Sequence, residues 1–255
     1  MNDGVGKKVS GCSLSVVMPA YNEGGKIYDN LMETLRLVGA FCGSFELVVV
    51  DDGSEDNTYA EILRAAKKSS LIKSAKNETN LGKGYALKAG TRIAQGELIA
   101  FLDSDLDLSP EQLQSFMRMM ENEHADVVIG SKLHPDSKVD YPVQRRMISF
   151  IYYFIIRCLF SLSVHDTQTG IKLFKANIIK PVMREILVKR FAYDIEVLAL
   201  CHTMGAKIVE HPVDLVFQRA NPFGRMKFRD LWYTGLDTLA IFYRLYIKKH
   251  YKLDK

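Results

Sequence analysis

The chain has 255 residues, 47% of them hydrophobic and 25% charged, and its 34 lysines and arginines against 30 aspartates and glutamates give a net charge of +4. This ordinary globular composition excludes an intrinsically disordered chain, a collagen-like repeat and a low-complexity scaffold. The length suits one large α/β domain or a domain with an appendage, and the charge excess is too small to indicate a nucleic-acid partner.

Strands and helices are expected to alternate through the first half of the chain. Short apolar and β-branched runs predict strands at residues 14–18, 45–50, 71–76, 98–102 and 127–130. Apolar residues at helical spacing predict helices at residues 25–41, 56–68, 83–94 and 110–121. The repeated strand–helix unit predicts a mostly parallel, Rossmann-like α/β sheet with helices on both faces.

The second half is less regular. We expect helices at residues 145–161, 177–187 and 195–204, a strand at 170–174, and one or two strands at 206–217. A basic amphipathic helix ends the chain: residues 217–255 hold nine Lys/Arg and three Asp/Glu, a charge of +6 that leaves −2 for the rest. We therefore divide the chain into an N-terminal tail (1–12), an α/β domain (13–227) and a C-terminal helix (228–255).

The cysteines and the apolar runs indicate the compartment. The four cysteines are far apart and form no CxxC pair, which argues against a zinc site and a disulfide framework. The first residues contain no apolar segment of a secretory signal, so we expect a cytosolic chain. No run of about 18 uncharged apolar residues occurs, so we expect no membrane-spanning helix.

Acidic residues follow three of the expected strands. Glu23 ends the segment PAYNE, Asp51 and Asp52 begin DDGS, and Asp103 and Asp105 lie in DSDLD. Ligands of open α/β sheets bind outside the carboxyl ends of the strands, so these carboxylates should converge on one rim. Their repulsion is relieved if a cation, or the hydroxyls of a sugar and ring nitrogens, lie between them.

Asp103, Asp105 and Asp107 are the sharpest candidates for a metal site. In an extended segment, residues at this spacing face the same way, so the three carboxylates could share one cation. The phosphate-binding GxxxxGK[ST] loop is absent, and the segment lacks the glycine and glutamate of a calcium loop. A divalent metal would accept carboxylate oxygens on one side and phosphate oxygens on the other. A polar loop without a ligand is the alternative.

At this point the chain resembles a known family. The motifs PAYNE, VVVDDGSEDNT, NLGKGYALKAG, FLDSDLDLSPE, GSK, RRMIS and DTQTGIKLF, in this order, are similar to those of the inverting family 2 glycosyltransferases of GT-A fold. The similarity is greatest to the polyprenyl-phosphate hexosyltransferases, which include the dolichyl-phosphate glucose and mannose synthases, and it covers roughly residues 13–227. It implies transfer of a hexose, with inversion, from UDP-glucose or GDP-mannose to a polyprenyl or dolichyl monophosphate.

The resemblance implies how the nucleotide is held. Pro19, Tyr21 and Glu23 would flank the base and the ribose. Asp51 or Asp52 would bond the edge of the uracil or guanine. A strand-ending turn at Pro19 and a simple type I turn after Asp52 are the structural alternatives.

The same resemblance assigns the DxD motif to Asp103, Ser104 and Asp105. Asp105 would be the direct metal ligand, and Asp103 would lie near the ribose or the metal. Asp107 stands where relatives have a third ligand, often glutamine in the mannose synthases. The expected cofactor is Mg²⁺ or Mn²⁺, which would bridge the diphosphate.

A lipid monophosphate is mostly dianionic near pH 7, so it needs no base to become a nucleophile. It needs a cationic cradle that holds it in line with the sugar–phosphate bond. The candidates for this cradle are Lys132, Arg145, Ser149, Arg219 and Lys227. A lysine at position 132, where relatives usually have arginine, keeps the charge and loses bidentate binding.

Asp166 begins the segment DTQTG, which lies near the sugar and acceptor in the family. It would orient a sugar hydroxyl, or act as a base if the acceptor were a hydroxyl; a turn contact is the structural alternative. With Asp105 and Arg145 it forms the expected catalytic set. This segment and residues 191–196 (FAYDIE) are closer to glucose-type than to mannose-type synthases, so glucose is favoured.

The insoluble polyprenyl tail implies a peripheral enzyme at the cytoplasmic face of a membrane. Residues 147–162 and 231–255 are the candidate contacts, because they combine apolar and aromatic residues, the latter with lysines. The alternative is two ordinary helices that pack on the sheet. The sequence carries no signal of the oligomeric state.

Two rival functions stay open at this stage. The first is a family 2 glycosyltransferase that acts on a hydroxyl acceptor in cell-surface polysaccharide synthesis, which would leave Arg145 and Ser149 without a purpose. The second is a non-enzymatic membrane-surface subunit with a degenerate transferase fold, against which the intact Asp51, Asp103 and Asp105 argue.

Overall fold

The computed structural model describes residues 13–139, 153, 155–189, 192–215 and 228–253, with the backbone alone for residues 228–232. The strands are β1 (Leu14–Ala20), β2 (Phe45–Asp51), β3 (Ile72–Lys76), β4 (Leu98–Leu102), β5 (Val127–Ser131), β6 (Lys138–Val139), β7 (Ile171–Lys175), β8 (Ile208–Pro212) and β9 (Asp214–Leu215). The helices are α1 (Ile27–Phe41), α2 (Thr58–Lys68), α3 (Lys83–Ile93), α4 (Leu113–Asn122), α5 (residues 155–160), α6 (Ala176–Glu185), α7 (Tyr193–Thr203) and α8 (Phe228–Phe242). A 3₁₀ turn (Pro110–Gln112) precedes α4, and a π-helical turn (Tyr243–Ile247) follows α8.

Seven strands form one sheet in the order β3-β2-β1-β4-β7-β5-β8, and β6 and β9 form a separate parallel pair. The expected α/β fold with a mostly parallel sheet is confirmed. One strand departs from it: β7 runs antiparallel to both of its neighbours, β4 and β5. Its first residue, Ile171, therefore pairs with Leu102, the last residue of β4. The chain segment before β7 thus reaches the edge at which the parallel strands end.

The central strands are buried on both faces, as their unbroken apolar runs indicate. Alternate residues enter two separate clusters: Val17 and Val48 lie on one face, Val16 and Val49 on the other. Helices α3, α6 and α7 cover the first face, and α1, α2 and α4 cover the second. Both faces are closed, so the polar edge of the sheet is where a ligand can approach the strand ends.

Strand β1 continues through Pro19, two residues past its expected end. Its pairing with β2 extends to Ala20, whereas its pairing with β4 ends at Val17. The proline, which has no N–H to donate, therefore lies where β1 has a partner strand on one side. This extension carries the PAYNE segment to the same level as the end of β2.

The expected helix at residues 145–161 falls mostly outside the described residues. Within residues 155–160, Ile156 and Phe160 are buried in the core while Ile155 and Cys158 are exposed. The three described cysteines, Cys42, Cys158 and Cys201, are free thiols.

The C-terminal helix is shorter than expected, because residues 248–253 are not helical. Ile241 is fully buried, and Phe242, Leu245 and Tyr251 pack against the core. The described part of the chain holds no helix that is both long and apolar enough to cross a bilayer.

Glu196, buried on α7, attaches the C-terminal segment to the core. Its Oε2 accepts the N–H groups of Leu187 (3.0 Å) and Val188 (2.7 Å). Its Oε1 accepts the hydroxyl of Tyr251 and a guanidinium N–H of Arg244 (3.4 Å). Burial, followed by the contact with Glu196, raises the pKa of Tyr251, so the hydroxyl stays a donor. The buried carboxylate is thus satisfied from both sides, as a buried charge requires.

We expect Tyr251→Phe to lower the free energy of unfolding by about 1.5–3 kcal/mol, the usual contribution of a hydrogen bond to a charged group. Urea denaturation measures the change. Tyr243→Phe is the matched control, because Tyr243 is 49% exposed; its effect should stay within about 0.5 kcal/mol. Equal effects of the two changes would contradict the attachment through Glu196.

Candidate functional site

The described candidate residues collect at the edge of the sheet where β1, β2, β4 and β5 end and β7 begins. Pro19, Tyr21 and Glu23 lie at the end of β1 and after it, and all three are partly exposed. The backbone N–H of Asp52 donates to the carbonyl of Ala20 (2.8 Å), which joins the ends of β1 and β2.

Side chains lock the PAYNE turn to the loop after β2. The N–H of Asn22 donates to Ser54 Oγ (2.9 Å), and the Asn22 side chain accepts the N–H of Glu55 (3.0 Å). The N–H of Glu23 donates to Thr58 Oγ1 (2.8 Å). Asn22 has φ 52°, a left-handed conformation that asparagine tolerates. The two expected nucleotide-binding segments therefore form one unit.

Asp51 and Asp52, which the sequence could not separate, have different environments. Asp52 is fully engaged: Oδ1 accepts from Asn77 Nδ2 (2.8 Å) and Leu81 N (3.1 Å), and Oδ2 accepts from Gly82 N (2.8 Å). It therefore fixes the loop that leads into α3. Its neighbour Asp51 has a carboxylate oxygen that can still accept a hydrogen bond.

The buried Oδ2 of Asp51 has no hydrogen-bond partner among the described residues. The other oxygen, Oδ1, accepts from the N–H (3.1 Å) and hydroxyl of Ser54. The ammonium of Lys76 lies 3.9 Å from Oδ2. A buried carboxylate oxygen without a donor costs free energy, so this atom points to a ligand that donates.

Lys83 forms an ion pair with Oδ1 of Asp103. Burial alone would lower the pKa of Lys83, but the negative charges of Asp103, Asp194 and Asp105 outweigh burial and raise it. Lys83 was not among the expected site residues. Its position could have indicated a role. Lys83 is the first residue of helix α3, directly after Gly82 with φ 99°, and the helix dipole disfavours a cation there.

The extended conformation expected for the DSDLD segment is wrong. Residues 104–105 form a turn, and Leu106 has φ 56°, so the alternation of side chains does not apply. The N–H of Asp107 donates to Asp105 Oδ1 (3.3 Å), and the carbonyl of Ser104 accepts from Asn30 Nδ2 (2.8 Å). In the described part of the chain, no three acidic, histidine or cysteine side chains group as a metal site. Asp103, Asp105 and Asp107 therefore do not form a complete cage by themselves.

Asp166 organises the acceptor-side loop. Its Oδ2 accepts the N–H of Lys132 (3.0 Å) and the hydroxyl of Thr169 (2.6 Å), and its Oδ1 accepts the N–H of Gln168 (3.0 Å). The ammonium of Lys132 lies 3.7 Å from Oδ2. Burial would raise the pKa of Asp166, but the charge of Lys132 and these hydrogen bonds lower it. Both oxygens are occupied, and the carboxylate is a weak base.

The donor and acceptor sides meet at Gly170. A Cβ at this position would collide with the carboxylate of Asp103, so the loop after Asp166 lies directly against the DxD motif. Of the expected phosphate-binding residues, Lys132 falls within the described residues. The others, Arg145, Ser149, Arg219 and Lys227, lie outside them.

Residues 15–182, more than half of the chain, match the family model described as Glycosyl transferase family 2. The chain belongs to this family. The resemblance of its motifs to the family 2 glycosyltransferases is therefore confirmed.

Two curated relatives illustrate the similarity. Dolichyl-phosphate beta-glucosyltransferase ALG5A of Trichomonas vaginalis is 31% identical over 213 residues, which cover 79% of this chain and 65% of that protein. Glycosyltransferase AglD of Haloferax volcanii is 28% identical over 207 residues, which cover 80% of this chain and 33% of that protein. The chain thus spans between about one third and two thirds of the length of these relatives.

Two solved structures have the same fold. Glucosyl-3-phosphoglycerate synthase of Mycobacterium tuberculosis, in complex with Mn²⁺, uridine diphosphate and glucosyl-3-phosphoglycerate, has a TM-score of 0.67 at 18% identity, covering 92% of this chain and 80% of that one. The mannosyltransferase PcManGT of Pyrobaculum calidifontis, in complex with GDP-Man and Mn²⁺, has a TM-score of 0.62 at 18% identity, covering 94% and 65%. At these identities the similarity establishes the fold, and the expected GT-A fold is confirmed.

The different environments of Asp51 and Asp52 generate a prediction. We expect Asp51→Asn to weaken nucleotide binding about tenfold or more, because it alters a buried oxygen, Oδ2, that has no donor among the described residues, while thermal stability changes little. Asp52→Asn should lower the melting temperature, because one amide oxygen cannot replace the two oxygens that hold Asn77, Leu81 and Gly82. Calorimetric titration with UDP and GDP, with a melting curve of each variant, measures both effects.

The reverse pattern would contradict this division. If Asp52→Asn lost nucleotide affinity at unchanged melting temperature while Asp51→Asn bound normally, Asp52 would be the residue that meets the base.

Proposed function

We propose that the protein transfers a hexose, glucose in preference to mannose, from a nucleotide sugar to the phosphate of a polyprenyl or dolichyl monophosphate, with inversion at the anomeric carbon. The observation that carries this proposal is the state of Asp166. Both of its oxygens accept hydrogen bonds, and the charge of Lys132 and those bonds hold its pKa down against burial.

A hydroxyl acceptor requires a base, and a carboxylate with a lowered pKa and occupied oxygens is poorly suited to that task. A phosphate monoester has a second pKa of about 6 and is already a nucleophile near neutral pH. The acceptor side therefore suits an acceptor that arrives ionised. The dolichyl-phosphate glucosyltransferases among the relatives, and the DTQTG segment, support the same substrate class.

On the donor side, we propose that Asp51 Oδ2 accepts an N–H of the base. Pro19, Tyr21 and Glu23 would flank the base and the ribose at the end of β1. Their turn is tied to the loop after β2, so the base pocket is held before the nucleotide enters. Such preorganisation lowers the cost of binding.

The carboxylates of Asp103 and Asp105 fit a hard divalent cation, Mg²⁺ or Mn²⁺, together with oxygens of the diphosphate. The ion pair between Lys83 and Asp103 supports this, because it indicates that carboxylates at this edge bind a positive charge. When bound, the cation would neutralise the charge that develops on the departing diphosphate. Asp107 would contribute through its neighbour Asp105, whose oxygen it contacts.

On the acceptor side, the ammonium of Lys132 would bind the lipid phosphate and turn one oxygen towards the anomeric carbon, opposite the diphosphate. Arg145, Ser149, Arg219 and Lys227 would complete the cradle. Asp166 holds the backbone of Lys132 and the loop that reaches Asp103, so it positions the acceptor relative to the donor.

The direct test incubates the protein with UDP-glucose or GDP-mannose, a short polyprenyl phosphate and Mn²⁺, and identifies the lipid product by mass spectrometry. We expect a hexosyl polyprenyl phosphate, no product from polyprenyl alcohol or from free sugars, and no product in the presence of a chelator. Faster transfer to a sugar hydroxyl would replace this proposal with the polysaccharide function. Full activity in the presence of a chelator would show that transfer does not need a divalent metal.

We further propose that the protein is peripheral, at the cytoplasmic face of a membrane, and that α8 and the turn after it make the contact. One face of this element exposes a row of large apolar side chains: Tyr233, Leu236, Leu239, Tyr243 and Ile247. The exposed lysines Lys248, Lys249 and Lys252 follow. An exposed apolar row next to basic residues is typical of helices that lie in an anionic membrane surface.

Sedimentation with vesicles tests this contact. Replacing the three lysines with alanine should reduce binding to phosphatidylserine vesicles at low salt by about 1 kcal/mol per residue, and should matter little at high salt. The double variant Leu236→Ser/Leu239→Ser should reduce the vesicle binding that persists at high salt. Leu63→Ser, at a leucine on α2 that is 38% exposed, is the matched control and should bind normally. Absence of vesicle binding by the wild-type chain would overturn the proposal.

A further inference from the structure

An ion pair lies buried beneath the site. The ammonium of Lys172 on β7 donates to the carboxylate of Asp194 in the first turn of α7, and both residues are almost fully buried. Lys172 stands between Phe101 of β4 and Ile129 of β5, in the middle of the sheet. Burial raises the pKa of the Asp194 carboxyl against the opposing charges of Lys172 and Lys83, so the pair is kept at a cost in desolvation.

The pair connects three segments of the site. Lys172 also donates to the carbonyl of Thr169 (2.6 Å), in the loop that Asp166 organises. The next residue, Gly170, lies against the carboxylate of Asp103. On the other side, Asp194 is hydrogen bonded to Tyr193, whose side chain packs on Gly84 at the start of α3.

Stability does not explain this arrangement. An apolar pair of similar volume is often as stable as a buried ion pair, and the surrounding cluster is apolar. What an apolar pair cannot do is hold the carbonyl of Thr169 and the amino end of α7 at a fixed separation, because it makes no directed bonds. The feature that is specific to Lys172 and Asp194 is therefore the position of the loop next to Asp103.

We propose that Lys172 and Asp194 are positioning residues of the transfer step. Their ion pair holds the segment 166–170 against Asp103 and so sets the line between the acceptor phosphate and the donor sugar. Asp194 acts by binding Lys172 and does not take up a proton from the acceptor. This inference rests on the proposed function, because the aligned nucleophile is the lipid phosphate.

The test compares the neutral, nearly isosteric double variant Lys172→Met/Asp194→Asn with the two single variants. Lys172→Met leaves a buried carboxylate unpaired, so its melting temperature should fall, whereas the double variant should recover much of the loss. The matched control is Lys175→Met/Asp126→Asn. That pair (2.9 Å) lies at the other end of β7, away from the rim.

We expect the double variant to bind UDP within threefold of the wild-type affinity while kcat for transfer to polyprenyl phosphate falls at least tenfold. Hydrogen exchange of the peptide that covers residues 166–170 should become faster in the double variant. The control should keep kcat and the exchange of this peptide. A purely structural pair would change the melting temperature without separating kcat from nucleotide affinity.

Three outcomes would overturn the inference: a folded double variant with wild-type kcat, an equal loss of UDP affinity and kcat, or unchanged exchange in residues 166–170. Failure of the proposed function is distinguishable, because it shows in the wild-type chain as absence of transfer to polyprenyl phosphate. The exchange measurement needs no acceptor, so it decides the role of the pair in that case also.

Discussion

The antiparallel insertion of β7 between β4 and β5 is the constraint on which the site depends. Parallel strands bring their carboxyl ends to the ligand edge, and β7 brings its amino end to the same place. Asp166 can therefore accept the N–H of Lys132, and Gly170 can lie against Asp103. A parallel β7 of five residues would have moved this loop away by roughly 17 Å, the length of the strand. One strand direction thus joins the two halves of the site.

Opposite charges alternate through the resulting edge. Lysines contact four of the carboxylates: Asp51 with Lys76, Asp103 with Lys83, Asp166 with Lys132 and Asp194 with Lys172. This pairing lets several acids lie close together in a partly buried place, where unpaired charges would repel each other and shift their pKa values. The pairing also separates the carboxylates into two groups. The carboxylates that are fully hydrogen bonded build the scaffold, and we propose that Asp51, Asp103 and Asp105 of the rim bind the nucleotide and its cation.

The features that depend only on neighbouring residues were predicted from the sequence. The strand at residues 98–102 was predicted to the residue, because a buried parallel strand is an unbroken apolar run. The direction of β7 was not predictable, since pairing partners are a property of the whole sheet. The turn at residues 104–105 was missed because nothing in the sequence marks Leu106 for a left-handed conformation. The sequence does not distinguish Asp51 from Asp52. They differ in the structure because Asp52 binds the distant Asn77–Gly82 loop, whereas Asp51 binds Ser54.

Helix α7 also links the rim to the C-terminal surface. Two residues after Asp194, Glu196 binds Tyr251 and Arg244 on one side and the N–H groups of Leu187 and Val188 on the other. The carbonyl of Lys189 then accepts the N–H of Gly84 (2.8 Å), beside the lysine that contacts the DxD motif. A series of hydrogen bonds therefore runs from the exposed apolar helix to the donor side. If α8 lies in a membrane surface, these bonds and the core contacts of Ile241 set the orientation of the catalytic rim relative to the lipid. The distance of the rim from the membrane surface is then fixed, and with it the position at which the phosphate of a membrane-embedded acceptor reaches the site.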